Sequence, residues 1–284
     1  MGAELSGVAG ALAACRDGDP MTAARLAGRS GTRLGAELAH YLGRVGAGSV
    51  YDQPAAFTAF IRGGGNVRLY ERLSEELATM YDELRPAAVL DLGCGDGLAV
   101  SPALSRTRFR PSRIDLVEPS ATLLSAVEVP GAHRFAATAQ EFLAANGSTW
   151  NLAQSTFALQ SIPPDDRADV LRALCPRTGR LLLAEFDVPA EPADQAGRLR
   201  SLAERYERGL AEYTDQASFV AQGFLLPVLL GVVTGESRTN WEHPATDWAG
   251  QLTAAGFTEV TITPLSDYWW SPAVLLTARG SQSG

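Results

Sequence analysis

Hydrophobic and polar positions change their rhythm at Pro86. Before it, apolar residues recur at helical spacing. Residues 3–48, rich in alanine, leucine and arginine, are broken by Asp17-Gly18-Asp19-Pro20 and by the segment from Gly28 to Gly31, which predicts two or three short helices. Phe57, Phe60 and Ile61 then lead into Gly63-Gly64-Gly65-Asn66, after which Leu69, Tyr70, Leu73, Leu77 and Tyr81 fall on one helical face. This predicts a helix, a glycine hinge and a second, amphipathic helix. From Pro86 onward, short apolar runs at 88–92, 113–117, 151–156, 180–186, 259–263 and 273–278 alternate with helical stretches. Strand and helix in alternation predict a parallel α/β sheet. Between 190 and 244 helical spacing returns at Leu199, Leu202, Tyr206, Leu210 and Tyr213, and predicts a helical insertion capping the carboxyl ends of the strands. The longest apolar run, 219–233, contains Gln222, Gly223 and Pro227 and falls short of the ~20 residues that cross a bilayer, so it reads as a buried helix or interface segment.

Composition narrows the chemistry. The 284 residues are 46% hydrophobic and 20% charged, enough to bury a full core. A net charge of −8 repels phosphate backbones and anionic lipid, so neither nucleic acid nor membrane is an expected partner. The stretch from Met21 to Leu42 has the look of a helix-turn-helix, but it lacks a basic recognition helix, and a dimerisation arm is the better reading. All 24 basic residues are arginine, which removes lysine nucleophiles and P-loop lysines. Cys15, Cys94 and Cys175 are odd in number and far apart, as in a reducing, cytoplasmic compartment. Leu12-Ala13-Ala14-Cys15 resembles a lipoprotein cleavage box, yet no basic segment precedes it and export is not expected. His40, His133 and His243 lack ligand spacing, so no metal is expected.

The strongest chemical pattern is Val89-Leu90-Asp91-Leu92-Gly93-Cys94-Gly95-Asp96-Gly97, an apolar strand running into three alternate glycines before a helix. Such glycines let the backbone turn sharply and let a ligand lie against bare main chain. A dinucleotide fingerprint needs glycine or alanine at position 98, where Leu98 stands. Asp91 would pair with a ligand ammonium and repel a pyrophosphate. The next strand, Ile114-Asp115-Leu116-Val117, ends in Glu118-Pro119-Ser120, and one carboxylate there can accept from both hydroxyls of a ribose.

These two segments resemble motifs of the class I S-adenosylmethionine-dependent methyltransferases, over roughly 86–190 and 248–280. The resemblance implies a Rossmann-like α/β fold with a mostly parallel seven-stranded sheet. It divides the chain into an N-terminal helical arm (1–50), a helical lid segment (51–85), a core (86–189 and 246–284) and a helical cap insertion (190–245). S-adenosylmethionine would be the cofactor, held by Asp91, Gly93, Gly95, Asp96, Gly97, Glu118, Pro119 and Ser120. Gln140, in Ala139-Gln140-Glu141-Phe142, would read the adenine edge, and Ser155 would border the cofactor from the fourth motif. Asn66 and Tyr70 look like parts of a segment that folds over the cofactor in some bacterial natural-product methyltransferases, and the phrasing is similar to that of actinomycete indole C3-methyltransferases. Phe157 and Gln160 would face the acceptor. Gln160 stands where many relatives carry histidine, and an amide can only hydrogen-bond.

Aromatic residues gather near the carboxyl terminus, and Trp241, Tyr268 and Trp269 are expected to meet an aromatic acceptor, one of the Trp269-Trp270 pair at most. His243, in Trp241-Glu242-His243-Pro244, is the first candidate for a base, followed by Tyr51 and Glu185. The expected activity is methyl transfer to a small aromatic molecule, an indole ring carbon foremost, by a homodimer joined through its N-terminal helices. Oxygen or nitrogen methylation of another small metabolite, and a methyltransferase-fold cyclase or binding protein, are the alternatives.

Overall fold

The computed structural model describes residues 2–44, 54–190, 192, 194–235 and 240–282. In chain order the helices α1 (Gly2–Arg16), α2 (Pro20–Arg29), α3 (Arg33–Leu42), α4 (Pro54–Ile61) and α5 (Gly65–Leu84) come first. Next are β1 (Ala88–Leu92), α6 (Val100–Arg106), β2 (Arg113–Val117), α7 (Ala121–Ser125), β3 (His133–Phe135), α8 (Ala139–Ala145), β4 (Trp150–Thr156), α9 (Pro164–Leu174) and β5 (Thr178–Phe186). The chain finishes with α10 (Gln195–Ala211), α11 (Ala217–Val220), α12 (Leu226–Thr234), α13 (Ala245–Ala254), β6 (Thr258–Ser266) and β7 (Ala273–Arg279).

Two compact units divide these elements. The first comprises Met1–Arg68, Ala190–Arg238 and Tyr268–Trp270. Its helices begin where capping residues demand: Asp19 accepts the Thr22 amide at the start of α2, and Thr32 accepts the Gly35 amide at the start of α3. The Glu207 carboxylate of α10 takes two further orphan amides of α3, those of Arg33 and Leu34, at 3.0 and 2.7 Å. Val8, Leu12, Leu34, Leu38, Tyr206, Leu210, Leu229 and Trp269 are buried in one core. The apolar run is longer than its sequence pattern suggests, because a π-helical turn at Ala221–Leu225 joins α11 to α12 into one helical stretch, Ala217–Thr234. By length and composition that stretch could cross a membrane; half of it is buried, and Val220, Leu225, Leu226 and Leu229 pack into this core as in an interior helix.

The second unit, Leu69–Pro189, Thr239–Asp267 and Ser271–Gly284, holds a seven-stranded sheet in the order β3-β2-β1-β4-β5-β7-β6. All neighbours are parallel except β7, which runs antiparallel to both β5 and β6. This is the mostly parallel seven-stranded sheet expected from the sequence. Strand order reverses between β1 and β4, and in an open α/β sheet the crevice at the carboxyl ends beside such a reversal is where ligands bind. Asp115 on β2, almost wholly buried, laces three strands by accepting Trp150 Nε1 at 2.7 Å and contacting His133 Nδ1 at 2.9 Å. Leu90, Leu92, Trp150, Ala153, Leu181, Leu183, Trp248 and Leu276 are among the buried core.

Candidate functional site

Past β1 the chain enters the left-handed region three times, at Gly93, Gly95 and Gly97, with φ of 72°, 57° and 80°. Only glycine takes such angles without strain. A side chain at Gly93 would collide with the Cβ of Ala158, and one at Gly97 would come within 2.8 Å of Val127 Cγ1. Around Gly95 there is open space. The turn is pinned to β2, since the amides of Gly93 and Cys94 both donate to the Val117 carbonyl, at 2.8 and 3.1 Å. Glu118 completes the link: Oε2 accepts the Gly95 amide at 3.1 Å and Oε1 the Ser120 amide at 2.9 Å. Two carboxylate oxygens offer about four acceptor positions, so Glu118 keeps capacity for ligand hydroxyls.

Beneath the turn lies a buried polar chain that the sequence analysis missed. Tyr81 of α5 donates to Gln154 Oε1 at 2.5 Å, and Gln154 Nε2 donates to Asp91 Oδ2 at 2.9 Å. Asp91 Oδ1 is buried and has no hydrogen-bond partner. Burial, aided by the negative charge of Glu118 and opposed by the Gln154 bond, pushes the Asp91 carboxyl up to about 7. A fully buried Gln154 on β4, between Ala153 and Ser155, was the available signal; Tyr81 read only as one more apolar helix position.

At the end of β4, Phe157 adopts φ 54°, a conformation that costs a non-glycine residue about 1–2 kcal/mol. Its ring stacks on Phe186 at 4.6 Å and meets Tyr70 edge-on at 6.0 Å. Burial, then the negative fields of Asp96 and Glu185, raise the Tyr70 phenol, which stays protonated. Glu185, fully buried on β5, accepts the Gln160 amide at 3.2 Å through Oε1, while Oε2 has no hydrogen-bond partner. Desolvation pushes this carboxyl up to about 8 against the opposing pull of the Gln160 bond and of Arg167. Gln160 donates its side-chain amide to the Phe157 carbonyl at 3.1 Å and accepts the Trp241 amide at 2.7 Å; its Oε1 is buried without a partner. His243 bridges to Asp187 just beyond β5 and faces Trp248 edge-on at 5.7 Å.

The other expected site residues make contacts of their own within each unit. Trp269 packs in the core of the first unit: it is buried against Gly209, where a Cβ would lie 2.7 Å from its ring, and meets Tyr206 at 5.6 Å. The Asn66 amide is committed within the first unit, donating to the Phe60 carbonyl and the Tyr213 hydroxyl and accepting from Tyr268 at 2.9 Å. That pairing ties the Gly63–Asn66 segment to Tyr213 and Tyr268 within the first unit. The Ser155 hydroxyl proton goes to the Leu92 carbonyl at 2.8 Å, fixing β4 to the end of β1. Gln140 is exposed in the first turn of α8, behind a capping box made by Thr138 and Glu141. Pro119 is exposed, Ser120 caps α7 by accepting the Leu123 amide, and Trp241 is half-buried beside Gln160. Tyr51 lies outside the described residues.

No protein-family model matches the chain, and no curated protein matches it significantly. Solved structures do. The mitomycin 7-O-methyltransferase MmcR superposes with a TM-score of 0.53 at 18% identity, over 95% of this chain and 75% of that one. The S-adenosylmethionine-dependent methyltransferase SibL gives 0.54 at 16% identity, over 95% and 77%. PigF, determined with SAH, gives 0.50 at 16% identity, over 87% and 70%. Sheet order, the glycine turn after β1 and this likeness together establish that the chain has the class I methyltransferase fold.

Proposed function

We propose that the protein transfers a methyl group from S-adenosylmethionine to the hydroxyl of a small, largely apolar aromatic molecule. The observation that carries this reading is the open main chain at Gly95, joined by its own amide to the Glu118 carboxylate of the neighbouring strand. Bare backbone beside an anionic side chain suits a cationic, ribose-bearing ligand and opposes a pyrophosphate. The residues fit the cofactor: Gly93, Gly95, Asp96 and Gly97 offer backbone, Glu118 accepts ribose hydroxyls, and Asp91 brings an unpartnered buried oxygen for a positive group. When bound, the cofactor supplies a methyl carbon already activated by its sulfonium.

What remains for the protein is orientation, exclusion of water and custody of one proton. Tyr70, Phe157 and Phe186 provide an apolar wall for an aromatic ring. Glu185 takes the hydroxyl proton as the new oxygen–carbon bond forms. Its carboxyl, at about 8, lies far closer than an exposed carboxylate to the ~10 of a phenol, as a general base should. His243 is the second candidate for that proton. The name of MmcR, an O-methyltransferase, supports oxygen over carbon as the methylated atom.

A second reading rests on Gln160. Its buried, unpartnered Oε1 is suited to accept an indole N–H, which would direct the methyl to the ring carbon. Incubation with methyl-labelled S-adenosylmethionine and a panel of phenols and indoles, followed by location of the label, separates the two. Label on oxygen supports the first reading and label on a ring carbon the second. Binding without any conversion of the cofactor to its demethylated form contradicts both.

A further inference from the structure

We propose that Arg167 is a positioning residue for Glu185, and that its guanidinium fixes the Gln160 turn and the Trp241–Glu242–His243 segment around that carboxylate; this rests on Glu185 as the proton acceptor. Arg167 is fully buried on α9, in one stripe with Val170, Leu171 and Leu174. A stripe of that kind calls for an aliphatic residue, and burying a cation is strongly unfavourable unless its contacts compensate. Here the contacts converge on the site. The guanidinium lies 4.2 Å from the centre of the Trp248 ring, and Nε donates to Gln251 Oε1 at 2.9 Å. Nη1 forks between two carbonyls, that of Leu159 at 3.3 Å and that of Trp241 at 3.0 Å.

Those two carbonyls belong to the segments that meet at Gln160. The Trp241 amide donates to the Gln160 carbonyl, and the Gln160 amide donates to Glu185. One planar fork therefore sets the separation of two backbone segments, and through them the hydrogen bond that Glu185 receives. Lysine carries the same charge on one nitrogen and cannot bridge these carbonyls while also keeping the separate Nε bond to Gln251 that orients the guanidinium plane. Arg167 Nη2 and Glu185 Oε2 are both buried and neither has a hydrogen-bond partner, so the two charges interact through space without pairing. The other charged or titratable groups that act on Glu185 are Glu242, which raises it, and Tyr70, with His243 next in sequence to Glu242.

The test uses the whole 284-residue chain and needs no acceptor. Infrared difference spectroscopy follows the protonated carboxyl band of Glu185, identified by its loss in Glu185→Gln, while hydrogen exchange follows the peptides spanning 157–162 and 239–244. Arg167→Met should move the disappearance of the band upward by about one pH unit, as loss of a nearby opposite charge requires. It should also speed exchange of the Trp241 amide roughly tenfold. Arg167→Lys should keep the titration near its original pH and still lose the protection, and it serves alone if the methionine variant does not fold. A methionine variant with an unshifted band, or a lysine variant with full protection, overturns the proposal. Neither readout depends on turnover, so this outcome is separate from the labelling experiment that tests Glu185 as base.

Discussion

The amide of Gly95 donates to the carboxylate of Glu118 across two neighbouring parallel strands, 3.1 Å apart, at the one glycine of the turn that faces open space. Gly93, two residues earlier, faces Ala158 instead. The two positions should therefore fail differently. Gly95→Ala costs about 1 kcal/mol for its left-handed backbone and should leave a folded protein with weakened S-adenosylmethionine binding. Gly93→Ala adds a collision inside the fold and should cost more than twice as much in denaturant unfolding. Equal stability losses would contradict this division of tasks.

Buried carboxyls make stability fall with pH. Asp91 and Glu185 sit at about 7 and about 8, above their ordinary 3.8 and 4.5. Between those limits the folded chain holds more protons than the unfolded one, so unfolding free energy should decline from about pH 4 to pH 8 and then level off. Glu185→Gln should remove its share, on the order of a few kcal/mol. Denaturant midpoints across that range check the sign; a rise through the window, or no flattening in the variant, would contradict it.

On the proposed mechanism the same carboxyl sets the rate. Turnover should climb as pH rises through about 8 and Glu185 ionises, and Glu185→Gln should lose both that limb and roughly 10²–10⁴ in kcat. A variant that keeps the pH dependence would move the proton to His243.

Trp269 offers a contrast between packing and recognition. Because it fills the space above Gly209 and beside Tyr206, Trp269→Phe should lower stability by about 1–3 kcal/mol without changing the KM of any acceptor. A raised KM in an otherwise stable variant would return it to the acceptor site.

The places where sequence and structure agree share a physical cause. β1 and β2 are short, mostly apolar runs that stop at Gly93 and at Glu118, so pattern alone locates them and the ligand turn that follows. β3 spans three residues at the sheet edge with two exposed, and carries no hydrophobic pattern to read. The packing of Trp269 was not legible because its partners, Tyr206 and Gly209, lie about sixty residues earlier, beyond any local periodicity. Arg167 was legible in principle: it stands on the buried stripe of its own helix, where a charge calls for an explanation. Glu185, an acid inside a strand of leucines, was visible for the same reason.

Calorimetric titration with S-adenosylmethionine is the most direct test of the whole account. The unaltered protein should bind with measurable heat, and Glu118→Ala should weaken binding roughly tenfold to a hundredfold, the equivalent of about 1.5–3 kcal/mol for hydrogen bonds to a charged group. Absence of heat with the unaltered protein, or an affinity unchanged in Glu118→Ala, would contradict it.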